Sequence, residues 1–201
     1  MPMPNTPKIE DFEGIAVKGR NARLLVEWQM MSKQFEGDGE VSFSVAKRNF
    51  MGLPEAYLVR YDVRSFCGTL PKDGDGLEKP EVADSFLMEI NLPNNYPSAD
   101  GFPEFRFRTS DDKGANIAHP WHPNIRYHGD FAGRVCLSAA ECGTFTDLAW
   151  YVERVRSYLR YEKYNAKNTP PFPEDVVVAQ WVEQQAEPNG WIEKFKNDNE
   201  R

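Results

Sequence analysis

Cys136 and Asn124 are the pair in this chain best suited to chemistry on an acyl group. A thiol reacts and binds metal as its thiolate. A side-chain amide N–H that meets the oxyanion of an acyl-transfer step is worth ~10²–10³ in rate. The amide stands in His122-Pro123-Asn124-Ile125 and the thiol in Arg134-Val135-Cys136-Leu137, twelve residues further on, so the two occupy the arms of one loop. Pro123 biases His122 toward extended backbone and fixes the chain just before the amide. If the incoming acyl group is already a thioester, no general base need stand beside the sulfur, because exchange between thiols is nearly isoenergetic. Each residue also has a plain structural reading. Asn closes turns readily, and a Cys between Val135 and Leu137 suits a core.

The other reactive side chains compete with this pair. All three histidines (His119, His122, His128) fall in one ten-residue window, and with Cys136 their types suit zinc. The pattern lacks a Cys-x-x-Cys or a His pair on one helix, and Pro120 and Pro123 directly follow two of the candidate ligands; no metal or cofactor is expected. Cys67 lies among alternating apolar neighbours and reads as an inert core thiol. Cys142, beside Gly143 and ahead of a helix, is the remaining candidate, since a helix N-terminus favours a thiolate.

Composition narrows the function classes. A chain of 201 residues suits one domain with extensions. Its net charge of −7 offers no basic face for nucleic acid. No apolar run approaches the ~18–20 residues of a membrane span. Residues 1–19, with Met1-Pro2-Met3-Pro4-Asn5-Thr6-Pro7 and no apolar core, read as a flexible lead-in rather than a signal peptide, and 20–201 as the folded domain. Three irregularly spaced cysteines make no disulfide framework, so the expected setting is the reduced cytoplasm.

The elements that must position the pair follow from periodicity. Leu24, Trp28, Met31 and Phe35 recur at helical spacing and predict a helix over Arg20–Phe35. Val41–Val45, Ala56–Cys67, Ser85–Leu92 and Glu104–Arg108 alternate and predict four strands of an antiparallel meander. From Asp111 to Gly133 neither period persists, although Trp121, Tyr127 and Phe131 argue for order. A loop of that length is usually functional. Helical spacing returns after Thr144, a candidate N-cap, through Leu148, Val152, Val155 and Leu159. A Pro-rich break precedes a helix from about Glu174 with Val177, Val178, Trp181 and Val182 inward, and Pro188-Asn189-Gly190 sets off a last helix carrying Trp191, Ile192 and Phe195. The order is that of an α+β domain with helices to one side of the sheet.

The motif resembles the active site of ubiquitin-conjugating (E2) enzymes: His122-Pro123-Asn124-Ile125, then Gly133 three residues before the cysteine, then Val135-Cys136-Leu137. Tyr96-Pro97 followed by Gly101-Phe102-Pro103 and a Phe-rich strand resembles a second family segment, and the likeness covers about residues 20–185. It implies the UBC-like fold and an acyltransferase without a cofactor. An E1-like enzyme would pass the C-terminal glycine of a ubiquitin-like protein to Cys136, and an acceptor amine, usually lysine, would then attack the thioester. Asn124 would stabilise the oxyanion or order the loop, and His122 would hold that loop by hydrogen bonds rather than act as a base. A free lysine has a pKa of ~10.4, so the acceptor needs desolvation or a nearby carboxylate, for which Glu174 and Asp175 are both candidates. Lys18, Arg20 and Arg23 would mark an E1-docking helix, or only a solvated basic end. An inactive, merely binding E2 variant and a zinc-bound loop protein are the alternative readings.

The chain departs from the family in three places. The Asn124–Cys136 spacing is longer than usual, with extra residues around Tyr127-His128-Gly129-Asp130. Thr144-Phe145-Thr146 stands where a tryptophan is usual, and Ser138 where many members carry an acid. Such divergence resembles the E2-like proteins of bacterial ubiquitin-like conjugation operons, some of them tied to antiphage defence.

Overall fold

Helix α1 (Arg20–Phe35) buries Leu24, Trp28, Met31 and Phe35, the stripe its spacing predicts, together with Glu27. The computed structural model to which it belongs describes residues 17–72, 74–98, 100–137, 146–170 and 172–199. The lead-in before Val17, Ser138, Cys142 and the expected cap Thr144 lie outside the described residues.

Strands β1 (Val41–Arg48) and β2 (Pro54–Tyr61) pair antiparallel with Phe43 opposite Val59. Between them the Asn49 side chain accepts the backbone N–H groups of Met51 and Leu53, closing the turn. The single strand expected over Ala56–Cys67 is two. The chain leaves the sheet after Tyr61, where the Asp62 N–H turns to the Glu40 carbonyl at 2.7 Å. It then forms β3 (Ser65–Thr69), which pairs with β4 (Pro80–Ala83) in a separate ribbon. Alternation alone does not reveal the break, because Tyr61 and Val63 keep period two through the bend and both are buried. Strand β5 (Phe86–Asn91) returns to β2, and β6 (Glu104–Phe107) completes an antiparallel sheet of order β1-β2-β5-β6.

Helix α2 (Leu148–Leu159) lies against α1 and the sheet, burying Leu148, Val152, Val155 and Leu159 in one core. Its N-cap is Asp147, whose carboxylate accepts the Trp150 N–H. A second core joins Phe66 of the ribbon, Trp121 and Tyr161 to the C-terminal helices through Val178, Trp181, Val182, Ile192 and Phe195. Those helices are α3 (Val176–Trp181), which continues as a π-helical turn over Val182–Ala186, and α4 (Trp191–Asn199). Val177, expected inward, is exposed: α3 begins at Val176 behind an Asp175 cap and buries Val178, Ala179 and Trp181. The architecture is α+β, with an N-terminal helix, a four-stranded antiparallel sheet and C-terminal helices. No described helix is long and apolar enough to cross a membrane.

Candidate active site

The stretch from Trp121 to Leu137 folds back on itself as an irregular hairpin. Ile125 and Val135 are bridged antiparallel. The Arg126 N–H donates to the Arg134 carbonyl and the Cys136 N–H to the Asn124 carbonyl, both at 2.8 Å. Asn124 and Cys136 are therefore opposed across the arms. Opposed residues of an antiparallel pair project to one face, so amide and thiol share it. The second arm is also sewn to the sheet edge: the Phe107 N–H donates to the Gly133 carbonyl (2.8 Å) and the Val135 N–H to the Phe105 carbonyl (3.0 Å). Gly133 makes that approach possible. Its φ is +88°, and a Cβ there would stand 2.0 Å from the Phe107 carbonyl oxygen.

His122 is fully buried and stacks on Tyr158, with ring centroids 5.0 Å apart. Its Nδ1 accepts the Asn124 N–H at 3.1 Å, which leaves Nε2 to donate to the Lys163 carbonyl at 3.1 Å. Burial pushes the imidazole down to about 3, against the pull of the Lys163 hydrogen bond, so the ring is neutral at physiological pH. Both ring nitrogens thus hold backbone. His119 stacks on Tyr127 and bonds its carbonyl, while the His128 ring donates to Asp175. The three imidazoles have separate partners, and among the described residues no group of three or more side chains is placed to hold a metal.

Asn124 Oδ1 accepts the Asn165 N–H at 3.1 Å, which fixes the amide and leaves Nδ2 without a partner among the described residues. Cys136 is half-buried. Burial, reinforced by the Glu174 carboxylate, raises its thiol above the ordinary cysteine range, with Arg134 opposing. The thiol is thus protonated at rest. Cys67, half-buried in β3, is pushed by burial and then by Glu81 up to about 11.

Glu174 and Asp175 differ sharply in what they touch. Glu174 Oε1 accepts Arg134 Nε and Nη2 at 2.9 and 2.6 Å and Arg126 Nε at 3.3 Å, bridging both hairpin arms. Asp175 is buried. Its Oδ1 caps α3 through the Val177 and Val178 N–H groups. Its Oδ2 accepts the Tyr127 and His128 N–H groups at 2.9 and 3.1 Å and the His128 ring at 3.0 Å. Its own N–H donates to the Pro123 carbonyl. Burial alone would raise the Asp175 carboxyl, but these donors outweigh it and hold it below the usual carboxylate range.

Residues Tyr127–Ala132 form a flap at the tip of the hairpin. Asp175 holds one end, and Arg106 holds the other through the Asp130 and Ala132 carbonyls. The Tyr127 hydroxyl donates to the Cys67 carbonyl at 2.8 Å, tying the flap to the ribbon. Sequence reasoning missed Asn165, Arg106 and the arginine clamp, because each acts across a long separation with no spacing to mark it. Two residues offered as docking charges are engaged internally. Arg20 pairs with Glu55, while Arg23 bonds the buried Glu27 and the Thr146 carbonyl. Lys18 is the exposed one.

No family model matches the sequence, and no curated protein matches it significantly. Solved structures do. A Trypanosoma cruzi protein assigned as a ubiquitin conjugating enzyme aligns over 92% of this chain and 98% of its own, with a TM-score of 0.51 at 10% identity. The fold is that of a ubiquitin-conjugating enzyme. A Plasmodium falciparum ubiquitin conjugating enzyme E2 aligns at 18% identity and a TM-score of 0.41 over 69% of this chain and 96% of its own. Human ubiquitin-conjugating enzyme E2 G1 aligns at 18% identity and 0.41 over 67% and 92%. At these identities the likeness is one of fold alone.

Proposed function

We propose that the chain is an E2-like conjugating enzyme. Cys136 accepts the C-terminal glycine of a ubiquitin-like protein, as a thioester, from an E1-like activating enzyme. An acceptor amine, a lysine of another protein, then takes the acyl group. The observation that carries this reading is the opposition of Asn124 and Cys136 across the hairpin, with Asn124 Oδ1 anchored on Asn165 so that Nδ2 is left for an oxyanion. Such a donor acts only if it is fixed before charge develops.

In this reading His122 is a positioning residue, since its nitrogens hold Asn124 and Lys163 and its ring stays neutral. Glu174 rather than Asp175 is the carboxylate that meets the acceptor. It lies close enough to Cys136 to raise the thiol, and Asp175 is enclosed by its five donors. The raised thiol suits a partner that arrives already activated, and no cofactor is required. Residues 20–201 would form one working domain, in the cytoplasm, within a bacterial conjugation system of the antiphage type.

The test is incubation with the E1-like enzyme, the ubiquitin-like protein and ATP, read by non-reducing electrophoresis. A thiol-sensitive adduct is expected that is lost in Cys136→Ala and kept in Cys67→Ala and Cys142→Ala. An adduct that survives Cys136→Ala would refute the assignment.

A further inference from the structure

Tyr158, in the last turn of α2, is a buried side chain that the chemistry above does not use. Beside the stripe of Leu148, Val152, Val155 and Leu159, any large apolar residue would fill this position. A buried hydroxyl is costly unless it finds a partner, and this one donates to the Cys136 carbonyl at 3.4 Å. That bond is long for two oxygens, so the ring carries most of the contact. It lies nearly parallel to His122, with centroids 5.0 Å and planes 18° apart. The Arg154 guanidinium, one helical turn earlier, stands over it at 5.4 Å from the centroid. Tyr158 therefore touches both arms of the hairpin, through the imidazole on one and Cys136 itself on the other. The imidazole needs that support. Its hydrogen bonds to the Asn124 N–H and the Lys163 carbonyl run through Nδ1 and Nε2, which leaves the ring free to rock about the line joining those atoms. With Tyr158 stacked on it and Tyr161 meeting it at 66°, close packing blocks the rocking.

We propose that Tyr158 is a positioning residue for acyl transfer: seated on His122 in one arm and on the Cys136 carbonyl in the other, it sets the Asn124 amide against the Cys136 sulfur. The inference rests on the reading of Cys136 as the acylated residue. In the exchange the Cys136 sulfur adds to the thioester carbon, and the carbonyl oxygen takes the negative charge. Its collapse breaks the bond to the donor sulfur, and the departing thiolate takes up the proton that Cys136 lost. Asn124 serves that oxygen only if it is in place before the charge develops. A misplacement of ~1 Å costs ~10² in rate. An aliphatic side chain at 158 fills the same core but neither stacks on the imidazole nor reaches the Cys136 carbonyl.

The acetyl-Gly-Gly thioester of mercaptoethanesulfonate is a probe that supplies an acyl group without an activating enzyme. The full chain and its Y158F, Y158L, N124A, Y158F/N124A and Y158L/N124A variants are incubated with it. Hydroxylamine-labile acylation of Cys136 is followed by mass spectrometry, at a temperature where circular dichroism shows the compared variants folded. Iodoacetamide alkylation of the same sulfur is followed in parallel, since that displacement forms no oxyanion. Acylation is expected to slow about thirtyfold in Y158L and about threefold in Y158F, which keeps the ring, with alkylation little changed in either. N124A slows it about 10²-fold, and neither change at 158 slows N124A further, because both act through the one amide. Should Y158L not fold, the Y158F pair carries the same comparison. Acylation at the wild-type rate in Y158L or Y158F, an equal loss in alkylation, or a loss that persists in full in N124A overturns the proposal and leaves the thioester reading standing. Absence of any acyl group on wild-type Cys136 overturns both.

Discussion

Replacing Asp175 by alanine removes the side chain that joins the flap to the start of α3 and leaves the Asp175 backbone N–H on the Pro123 carbonyl. Loss of a helix cap costs about 1 kcal/mol. Each buried donor left without a partner costs about 1–3 kcal/mol, and here the Tyr127 and His128 N–H groups lose theirs. Those two amides lie at the edge of the flap and recover some hydration when it opens, so the combined loss is about 3 kcal/mol at pH 7. For a chain of this length that corresponds to a fall in Tm of roughly 6–12 °C. Urea unfolding supplies the free energy, and amide hydrogen exchange supplies the location. Tyr127 and His128 should lose protection in Asp175→Ala while the β2–β5 amides keep theirs relative to global stability. The sign with pH follows from the depressed carboxyl. Its stabilisation is full above the unfolded value of ~3.9 and is lost as pH falls through the folded value. The difference between wild type and variant should therefore be flat from about pH 5 to 8 and shrink only in stronger acid. A loss below about 0.5 kcal/mol, within the range of ordinary surface changes, or unchanged exchange at Tyr127 and His128, would refute the role of Asp175 as the flap anchor.

Three further expectations follow from the same contacts. His122, held neutral with its value lowered to about 3, makes folding weaken as pH falls from ~6.5 toward 3. At ~1.4 kcal/mol per unit this gives about 2 kcal/mol lost by pH 5, and unfolding of His122→Gln should lack that extra slope; equal slopes would contradict the buried neutral ring. Gly133→Ala puts a Cβ against the Phe107 carbonyl and should cost about 3–4 kcal/mol with faster alkylation of Cys136 as the arm detaches; a Tm within a degree or two of wild type would show that the arm is not so closely seated. Burial is the largest contribution to the raised Cys136 thiol and Glu174 the next, so Glu174→Gln should lower the pH midpoint of iodoacetamide alkylation and speed the reaction several-fold at pH 7.5. An unchanged midpoint would place Glu174 away from the sulfur.

What could be read from sequence divides along physical lines. Helix α1 and the helix through Leu148 and Leu159 are legible because one apolar stripe at period 3.6 admits one buried face. The meander is legible for the same reason at period two. The β2–β3 break is not, because a bent chain and a straight one share the alternation through Tyr61 and Val63. Strand β4 begins on Pro80, is only four residues long and buries none of them fully, so it carries no alternation to read. At the site, the motif brought Asn124, His122 and Cys136 together in the reading. The charges that set their surroundings were out of reach: Glu174 and Asp175 sit next to each other in sequence, yet one clamps the hairpin arms and the other lies buried beneath the flap. That choice is made by the α3 cap. The helix expected from about Glu174 begins at Val176, and Val177, expected inward, stands exposed.

The most direct measurement of the central claim is the site of the acyl bond itself. The chain is charged by an E1-like enzyme with ATP and the ubiquitin-like protein, digested in acid without reducing agent, and mapped by mass spectrometry. The account predicts the modifier's C-terminal glycine in thioester linkage on the peptide containing Cys136, released by hydroxylamine. A glycyl linkage first formed on Cys67, Cys142 or a lysine, with Cys136 unmodified, would contradict it.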